Sequence, residues 1–532
     1  MIFKSRFPDI EIPKIGVYQY ITSNPSGIDD EKLIFVDAIT NKKLPFGEFK
    51  RDTKRFAAGL IHKVGFKRGD VLAIFSLNHL DYSTAVFGAI AAGGKVTPIN
   101  PSYKVNEFTH QLKDSDASVV IVNPLLLSIA IEGAAAANFP KTKIFLFGEE
   151  EINGIQPFWS FISDQEIIPV EFTPEEAKST TAYLCYSSGT TGKNKGVETT
   201  HTNIVSNLAQ ISAFEKGFTN QTSLIGFLVL KVLNSFNPDT KSFISTRMFC
   251  IKGASCVILP KFELELFCCV IQDYKVNLAT LVPPVVLLLV KNPIAKKYDL
   301  SSLQLAISAA APLSKELSND FTKIHKIPIK QAYGLTETSP ITHLAMTDNI
   351  VNGSIGILIP NVECKIVSVD GQELGYNEPG EFYVRGPNGY LNNKVSTDMC
   401  IDKDGWFHTG DIGFADPQGN FFIIDRGFQV APAELESVLI IHPLIDDAAV
   451  VGVYSNDGVT EYPAAFVVLK TNIIQSDQIK EEIKEFVSQR VADHKRLRGG
   501  VYFIDQIPKS PSGKILRRLL RDRVKHMYIS KL

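Results

Sequence analysis

The sequence predicts an α/β chain in which a large N-terminal domain of stacked α/β sheets carries a β-rich subdomain. A small C-terminal α+β domain follows it. Three observations lead there. Short apolar runs alternate with longer amphipathic stretches through most of the chain, the pattern of a parallel sheet buried between helices. After residue 350 the character becomes turn-rich and β-like, in "GSIGILIPNVECKIVSVDGQELG" and "GEFYVRGP". Near residue 426 it changes again, to about a hundred residues that alternate strand and helix.

The first part supplies its strands in order: "VLAIFSL" (71–77), "SVVIVNP" (118–124), "KIFLFG" (143–148), "SCVILP" (255–260) and "LQLAISAAAP" (303–312). Between them lie helical patterns such as "DYSTAVFGAIAAGG" (81–94), whose small residues allow close packing on a sheet. The most apolar stretch, "ATLVPPVVLLLV" (279–290), is too short for a membrane span and contains two prolines, so it reads as core. The C-terminal part supplies "AAVVGVY", "PAAFVVLK", the helical "QIKEEIKEFVSQRVADH", "VYFIDQIP" and a basic helix, "KILRRLLRDRVKH". That last helix reads either as a solvated face or as a positive rim near bound phosphates. The domains are expected at 1–426 and 427–532, since 532 residues exceed one ordinary domain.

Composition excludes several classes. A net charge of −2 lacks the basic excess of a nucleic-acid protein. The seven cysteines are an odd number with no C-x-x-C pair, which supports neither a disulfide framework nor a zinc site. The N-terminal "MIFKSRFPDIEIPK" has no apolar core of a secretory signal. The chain ends in Ser530-Lys531-Leu532, the peroxisomal address, so a peroxisomal location and an import receptor as partner are expected.

Chemistry concentrates in "YSSGTTGKNKG" (186–196), where hydroxyls, glycines and two lysines occur with no acid. Such a run after an apolar strand can wrap phosphate oxygens in backbone amides and hydroxyls; a flexible polar turn would share its composition. It is not a Walker A loop, because Asn194 follows Gly192-Lys193 and no glycine stands five residues before Gly192. Downstream, "QAYGLTETSP" (331–340) sets Glu337 beside the hydroxyl of Thr336, a reasonable Mg²⁺ ligand next to nucleotide phosphates. "GWFHTGD" (405–411) offers Asp411 to a ribose diol, and "FFIIDR" ends in the fork donor Arg426. In "PKSPSGKILRR" (508–518), Pro and Gly bracket Lys514 on a turn before a helix.

The order and wording of these runs closely resemble the AMP-forming adenylating enzymes: acyl-CoA synthetases, beetle luciferases and adenylation domains. "PKFELE" (260–265), "GFQVAPAELE" (427–436) and "HKRLRGGVYFIDQIPKSPSGKILRRLLR" (494–521) are most similar to 4-coumarate:CoA ligase and its peroxisomal acyl-CoA ligase relatives. The resemblance implies a two-step reaction with ATP, Mg²⁺ and coenzyme A. A carboxylic acid, either a hydroxycinnamate or other aryl acid or a fatty acid, becomes an acyl-adenylate, and coenzyme A then displaces AMP. By resemblance Ser187, Ser188, Gly189, Thr190, Thr191, Gly192 and Lys195 would grip the outer phosphates. Thr336 would touch the α-phosphate, and Glu337 the metal. Tyr333 would pack on adenine, Asp411 would hold the ribose, Arg426 would bind ribose or phosphate, and Gln331, Ala332 and Gln429 would complete the nucleotide site. Lys514 would bridge carboxylate and α-phosphate. Ser308, Ala309, Ala310, Ala311, Pro312, Ala332 and Gly334 would line the acid pocket.

Three departures and some smaller changes qualify that reading. Arg426 joins Gly427 directly, where the family carries about eight further residues that include an interdomain hinge able to absorb a rotation. Adenylation is therefore expected to survive better than thioester formation. "FLVLKVLNSFNPDTKSFIS" (227–245) lacks the family's pocket-wall histidine, and "RGPNGYLNN" (385–393) is shortened. Ala332 and the alanines of "SAAAP" stand where glycines are common, so added methyls narrow the pocket. A luciferase-like oxidase and a catalytically impaired adenylate-binding protein remain as alternatives.

Overall fold

The computed structural model describes residues 1–187, 195–215, 222–226, 253–309, 313–368, 370–385, 401–425, 432–454, 461–491, 496–509, 515–517, 519–521 and 523–524. The described strands form four sheets.

Each predicted apolar run becomes a strand. In the six-stranded sheet, Val71–Phe75 is central, flanked by Lys95–Ile99 and Ala117–Val122, all parallel. Ile144–Leu146 closes one side. Thr181–Ser187 and Lys195–Thr200 form an antiparallel pair at the other. The predicted helix 81–94 is Tyr82–Ala91, buried on every side, which is why its sequence is apolar all round rather than on one stripe.

The nine-stranded sheet runs Ile357–Leu358, Ile341–Leu344, Ile329–Gly334, Leu305–Ser308, Leu278–Leu281, Ser223–Gly226, Ser255–Ile258, Leu33–Asp37 and Lys43–Pro45. The six from Ile329–Gly334 to Leu33–Asp37 are parallel, and the outer strands are antiparallel. The apolar stretch at 279–290 is the strand Leu278–Leu281 and the helix Pro283–Lys291, whose proline start suits a first helical turn. One continuous apolar core joins residues of these two sheets with residues of a five-stranded antiparallel sheet, in which the N-terminal Ile2–Lys4 pairs with four strands from after residue 350. No described helix is long and apolar enough to cross a membrane.

The C-terminal part has its own sheet, Ile445–Tyr454, Glu461–Leu469 and Val501–Phe503, with the helices Pro432–Ile440 and Asp477–Ser488. Two apolar clusters hold it, one around Leu435, Leu439, Val450 and Ile483, the other around Val451, Phe466, Leu520 and Val524. The strand Phe421–Asp425 ends one residue before the expected boundary, and 426–431 lie outside the described residues. Cys185, Cys256, Cys268 and Cys364 are buried free thiols and Cys269 is a partly exposed one; Cys250 and Cys400 lie outside the described residues.

Candidate active site

Parallel strands deliver their functional residues at one edge, because ligands bind beyond the carboxyl ends of such strands. Leu281 pairs with Ser308, and Ser308 with Gln331, so two strands end beside Gln331, from which the third runs on to Gly334. Ser308 is fully buried, and its hydroxyl has no hydrogen-bond partner among the described residues. An orphaned buried hydroxyl at a strand end suits a site that a polar ligand completes. Ala309 is partly buried, while Ala310, Ala311 and Pro312 lie outside the described residues.

The side-chain oxygen of Gln331 accepts from the Leu313 amide at 2.9 Å, and its nitrogen donates to the Leu313 carbonyl at 3.2 Å. It imitates a strand partner and pins the far end of the 310–312 connection. Ala332 is buried opposite Leu344. Gly334 then lets the chain double back. A Cβ there would fall 1.8 Å from the Pro340 carbonyl oxygen, so only glycine fits. The turn Thr336–Thr338 is held by Leu335 N donating to Pro340 O at 3.1 Å and to Thr338 Oγ1 at 2.9 Å. Thr336 and Glu337 are both buried in it. Asn207, on the helix His201–Phe214, supports the turn from behind by donating to Ile341 O at 2.8 Å.

Tyr333 and Asp411 come from different sheets and meet. The Tyr333 hydroxyl donates to Asp411 Oδ2 at 2.8 Å, across 78 residues of sequence. Burial, reinforced by the Asp411 charge, pushes the phenol well above its usual range, so it stays a donor. Asp411 is aimed by a β-bulge. Between the pairs Glu381–Ile412 and Tyr383–His408 the register slips, and Gly410 takes φ +69°. The Thr409 hydroxyl donates to Phe382 O at 2.8 Å and accepts from Asp411 N at 3.1 Å, fixing the bulge.

The hydroxyl-rich run is the connection between two antiparallel strands. Ser187 ends one and pairs with Lys195, which begins the other. Ser188, Gly189, Thr190, Thr191 and Gly192 lie outside the described residues. The strand Lys195–Thr200, which follows the run, touches the turn Thr336–Thr338. Arg426, Gln429 and Lys514 lie outside the described residues, as do 227–245, 386–393 and 530–532.

Sequence reasoning missed Asn207, Thr409 and the pinning role of Gln331. Asn207 had a usable signal: a polar residue among apolar positions in "IVSNLAQIS" shortly after the hydroxyl-rich run. The tie made by Thr409 had none.

Among the described residues there is no group of three or more His, Cys, Asp or Glu placed to hold a metal. Glu337 alone would leave a metal to draw most of its ligands from substrate and water, which is how Mg²⁺ is commonly held beside phosphates.

The AMP-binding enzyme family matches residues 27–391, and the AMP-binding enzyme C-terminal domain matches 434–514. 4-Coumarate–CoA ligase 3 of Arabidopsis thaliana is 35% identical, covering 98% of this chain and 94% of its own length. Probable 4-coumarate–CoA ligase 1 of Dictyostelium discoideum is 36% identical, over 98% and 97%. Among solved structures, an ATP-bound RpMatB–BxBclM chimera superposes with a TM-score of 0.84 at 25% identity, covering 96% of this chain and 99% of its own. The anthranilate CoA ligase AuaEII, in complex with anthranoyl-AMP, shares the fold at a TM-score of 0.83 and 24% identity, over 97% and 98% of the two chains. The chain belongs to the AMP-binding enzyme family. Its activity is that of an AMP-forming acid–thiol ligase, which activates a carboxylic acid with ATP and passes the acyl group to coenzyme A.

Proposed function

We propose that the acid is a hydroxycinnamate or a related aryl acid, that Mg²⁺ accompanies ATP, and that the enzyme works in peroxisomes. The full-length likeness to proteins named 4-coumarate–CoA ligase carries the substrate reading. The Ser530-Lys531-Leu532 ending supports the location.

The residue roles follow from charge. An anionic acid and the α-phosphate of ATP repel each other, so the chain must neutralise and align them. Thr336 and Glu337 sit on a buried, hydrogen-bonded turn, a rigid base for phosphate and metal contacts. Tyr333 offers a flat face to adenine while its hydroxyl orients Asp411 toward the ribose. Ser187, Ser188, Gly189, Thr190, Thr191, Gly192 and Lys195 grip the outer phosphates. Gln331 and Ala332 border adenine, and Arg426 and Gln429 complete the nucleotide contacts. Lys514 lies between carboxylate and α-phosphate as they approach. The acid lies against Ser308, Ala309, Ala310, Ala311, Pro312, Ala332 and Gly334. Domain assignments of 1–426 and 427–532 place Lys514 on the smaller domain.

The direct Arg426-Gly427 junction favours a second reading of the same enzyme, in which adenylation outpaces thioester formation because the smaller domain lacks slack to rotate. Acid-dependent ATP–pyrophosphate exchange, followed by coenzyme A addition, tests both. Exchange with 4-coumarate above exchange with medium- and long-chain fatty acids is expected, as is its loss on removing Mg²⁺. Preference for a fatty acid would refute the aryl reading. Light emission or oxygen uptake would point to the oxidase, and no exchange with any acid to a binding protein. Fluorescently tagged chains with and without the last three residues test the location; identical distributions would refute it.

A further inference from the structure

The smaller domain holds an ion pair whose place in the sequence gives it a task. Arg517 Nη2 donates to Glu436 Oε1 at 2.9 Å and to Oε2 at 3.0 Å, and its Nε donates to the Val450 carbonyl at 3.1 Å. Glu436 Oε1 also accepts from Val450 N at 2.8 Å. One arginine thus ties the helix Pro432–Ile440 to the strand Ile445–Tyr454, three residues after Lys514.

The described backbone on either side of the run 510–514 is tied together. Lys509 bridges Ile515 in antiparallel fashion, and Leu516 N donates to Pro508 O at 2.7 Å. On the entering side, the Lys509 ammonium pairs with Asp447, on the same strand as Val450. Both flanks of the run are therefore fastened to one strand, the entering flank through Asp447 and the leaving flank through Val450.

The apolar cluster of Ala449, Val451, Phe466, Ile507, Leu520 and Val524 already fixes this part of the domain. The Arg517 side chain is 28% exposed and that of Glu436 13%. At that exposure the pair is mostly sheltered from water, so breaking it costs some stability, but stability alone does not require its shape. What it supplies is direction: a planar fork held on two carboxylate oxygens and a carbonyl fixes the chain leaving the run, as a lysine could not.

We propose that Arg517 and Glu436 are a positioning pair that sets where Lys514 is presented during adenylation. This rests on the role given to Lys514 above. Neighbouring Cα atoms are about 3.8 Å apart, so a shift at Ile515 passes directly to Lys514. A misplacement of about 1 Å can cost about 10²-fold in rate.

The test uses full-length protein, the panel acid that wild type exchanges fastest, and the variants K514A, R517A, R517K, E436Q and R517A/E436A. K514A is expected to lose exchange. R517A and E436Q should lower the exchange kcat by about 10- to 100-fold, with the ATP KM within about twofold of wild type. R517K, keeping the charge without the fork, should recover only part of the loss. The double variant should lose less than the product of the two single losses, because both lesions break the shared ion pair. R517A and E436Q should unfold at somewhat lower temperature, so every variant is assayed well below its own unfolding transition. Exchange in R517A within about twofold of wild type while K514A is inactive would overturn the positioning role alone. So would recovery of wild-type exchange by R517A and E436Q when they are assayed well below their unfolding temperatures, since the loss would then be one of folded protein only. Exchange retained by K514A would instead refute the reading of Lys514, and the pair's task with it.

Discussion

Replacing His343 with Phe should make the protein less sensitive to mild acid. His343 lies on the strand Ile341–Leu344, directly opposite Tyr333. It is fully buried between the rings of Phe421, Tyr333 and Phe382, at 4.4, 5.5 and 5.9 Å. Nδ1 is 2.9 Å from the Thr342 hydroxyl, and Nε2 has no partner among the described residues. Burial lowers its pKa from 6.5 to about 3. The sign follows: between those values the unfolded chain binds a proton that the folded one refuses, so stability falls as pH drops below 6.5 and levels off near 3. At about 1.36 kcal/mol per pH unit, bringing the protein from pH 7 to 5 costs about 2 kcal/mol through this residue. Phe fills the same aromatic cage without titrating. It forfeits the Thr342 contact, about 1 kcal/mol at every pH, which displaces the curve without tilting it. His201, lowered to about 4 by burial, contributes equally to both proteins and cancels in the difference. Urea unfolding can be followed through Trp406, buried in the sheet that contributes Phe382 and Phe421, in a Trp159→Phe background. The stability difference between wild type and H343F should change by about 2 kcal/mol from pH 7 to 5. Parallel curves over that range would refute a buried neutral histidine.

Tyr333→Phe should raise the ATP KM about tenfold, near the low end of the 1.5–3 kcal/mol that a hydrogen bond to a carboxylate contributes, since Asp411 keeps some contact with solvent; an unchanged KM in initial-rate exchange would count against orientation of Asp411 by the phenol. Lys330→Met should destabilise by about 3–5 kcal/mol, because the buried carboxylate of Glu215 loses its ammonium, and adding Glu215→Gln should restore much of it. Equal loss in the single and double variants on urea unfolding would show the pair uncoupled. Inserting a flexible segment of about eight residues between Arg426 and Gly427 should speed thioester formation more than exchange, if slack for domain rotation is what limits the second step; equal effects on both would remove the hinge from the argument.

The strands were legible because burial on both faces leaves an unmistakable run of apolar residues, as in Val71–Phe75 and Ser255–Ile258. The turn around Thr336 was legible because close backbone approach admits only glycine at position 334. What could not be read were contacts between distant elements. Nothing local in "QAYGLTE" or "HTGD" says that Tyr333 reaches Asp411, since that depends on how two sheets pack and on a bulge that Thr409 ties. Lys330 was equally silent. One lysine in a strand suggests a solvent-facing position, yet its ammonium is buried against Glu215, 115 residues away, and is 2.8 Å from the Thr347 hydroxyl.

The basic helix near the C-terminus sharpens the point. Its residues read as a solvated face or as a positive rim, and both readings treat its arginines as interchangeable charges. Arg517 fits neither, because its guanidinium is committed to Glu436 and Val450 inside its own domain. Leu520, between the arginines, and Val524, just after the last of them, are buried. Charge counting predicts the field around a helix but not which charges are spent internally, since that depends on an acid 81 residues earlier. A family likeness can therefore mark Lys514 for chemistry while leaving the means of presenting it unread. The neighbouring Arg517, alike in charge, owes its use to geometry alone.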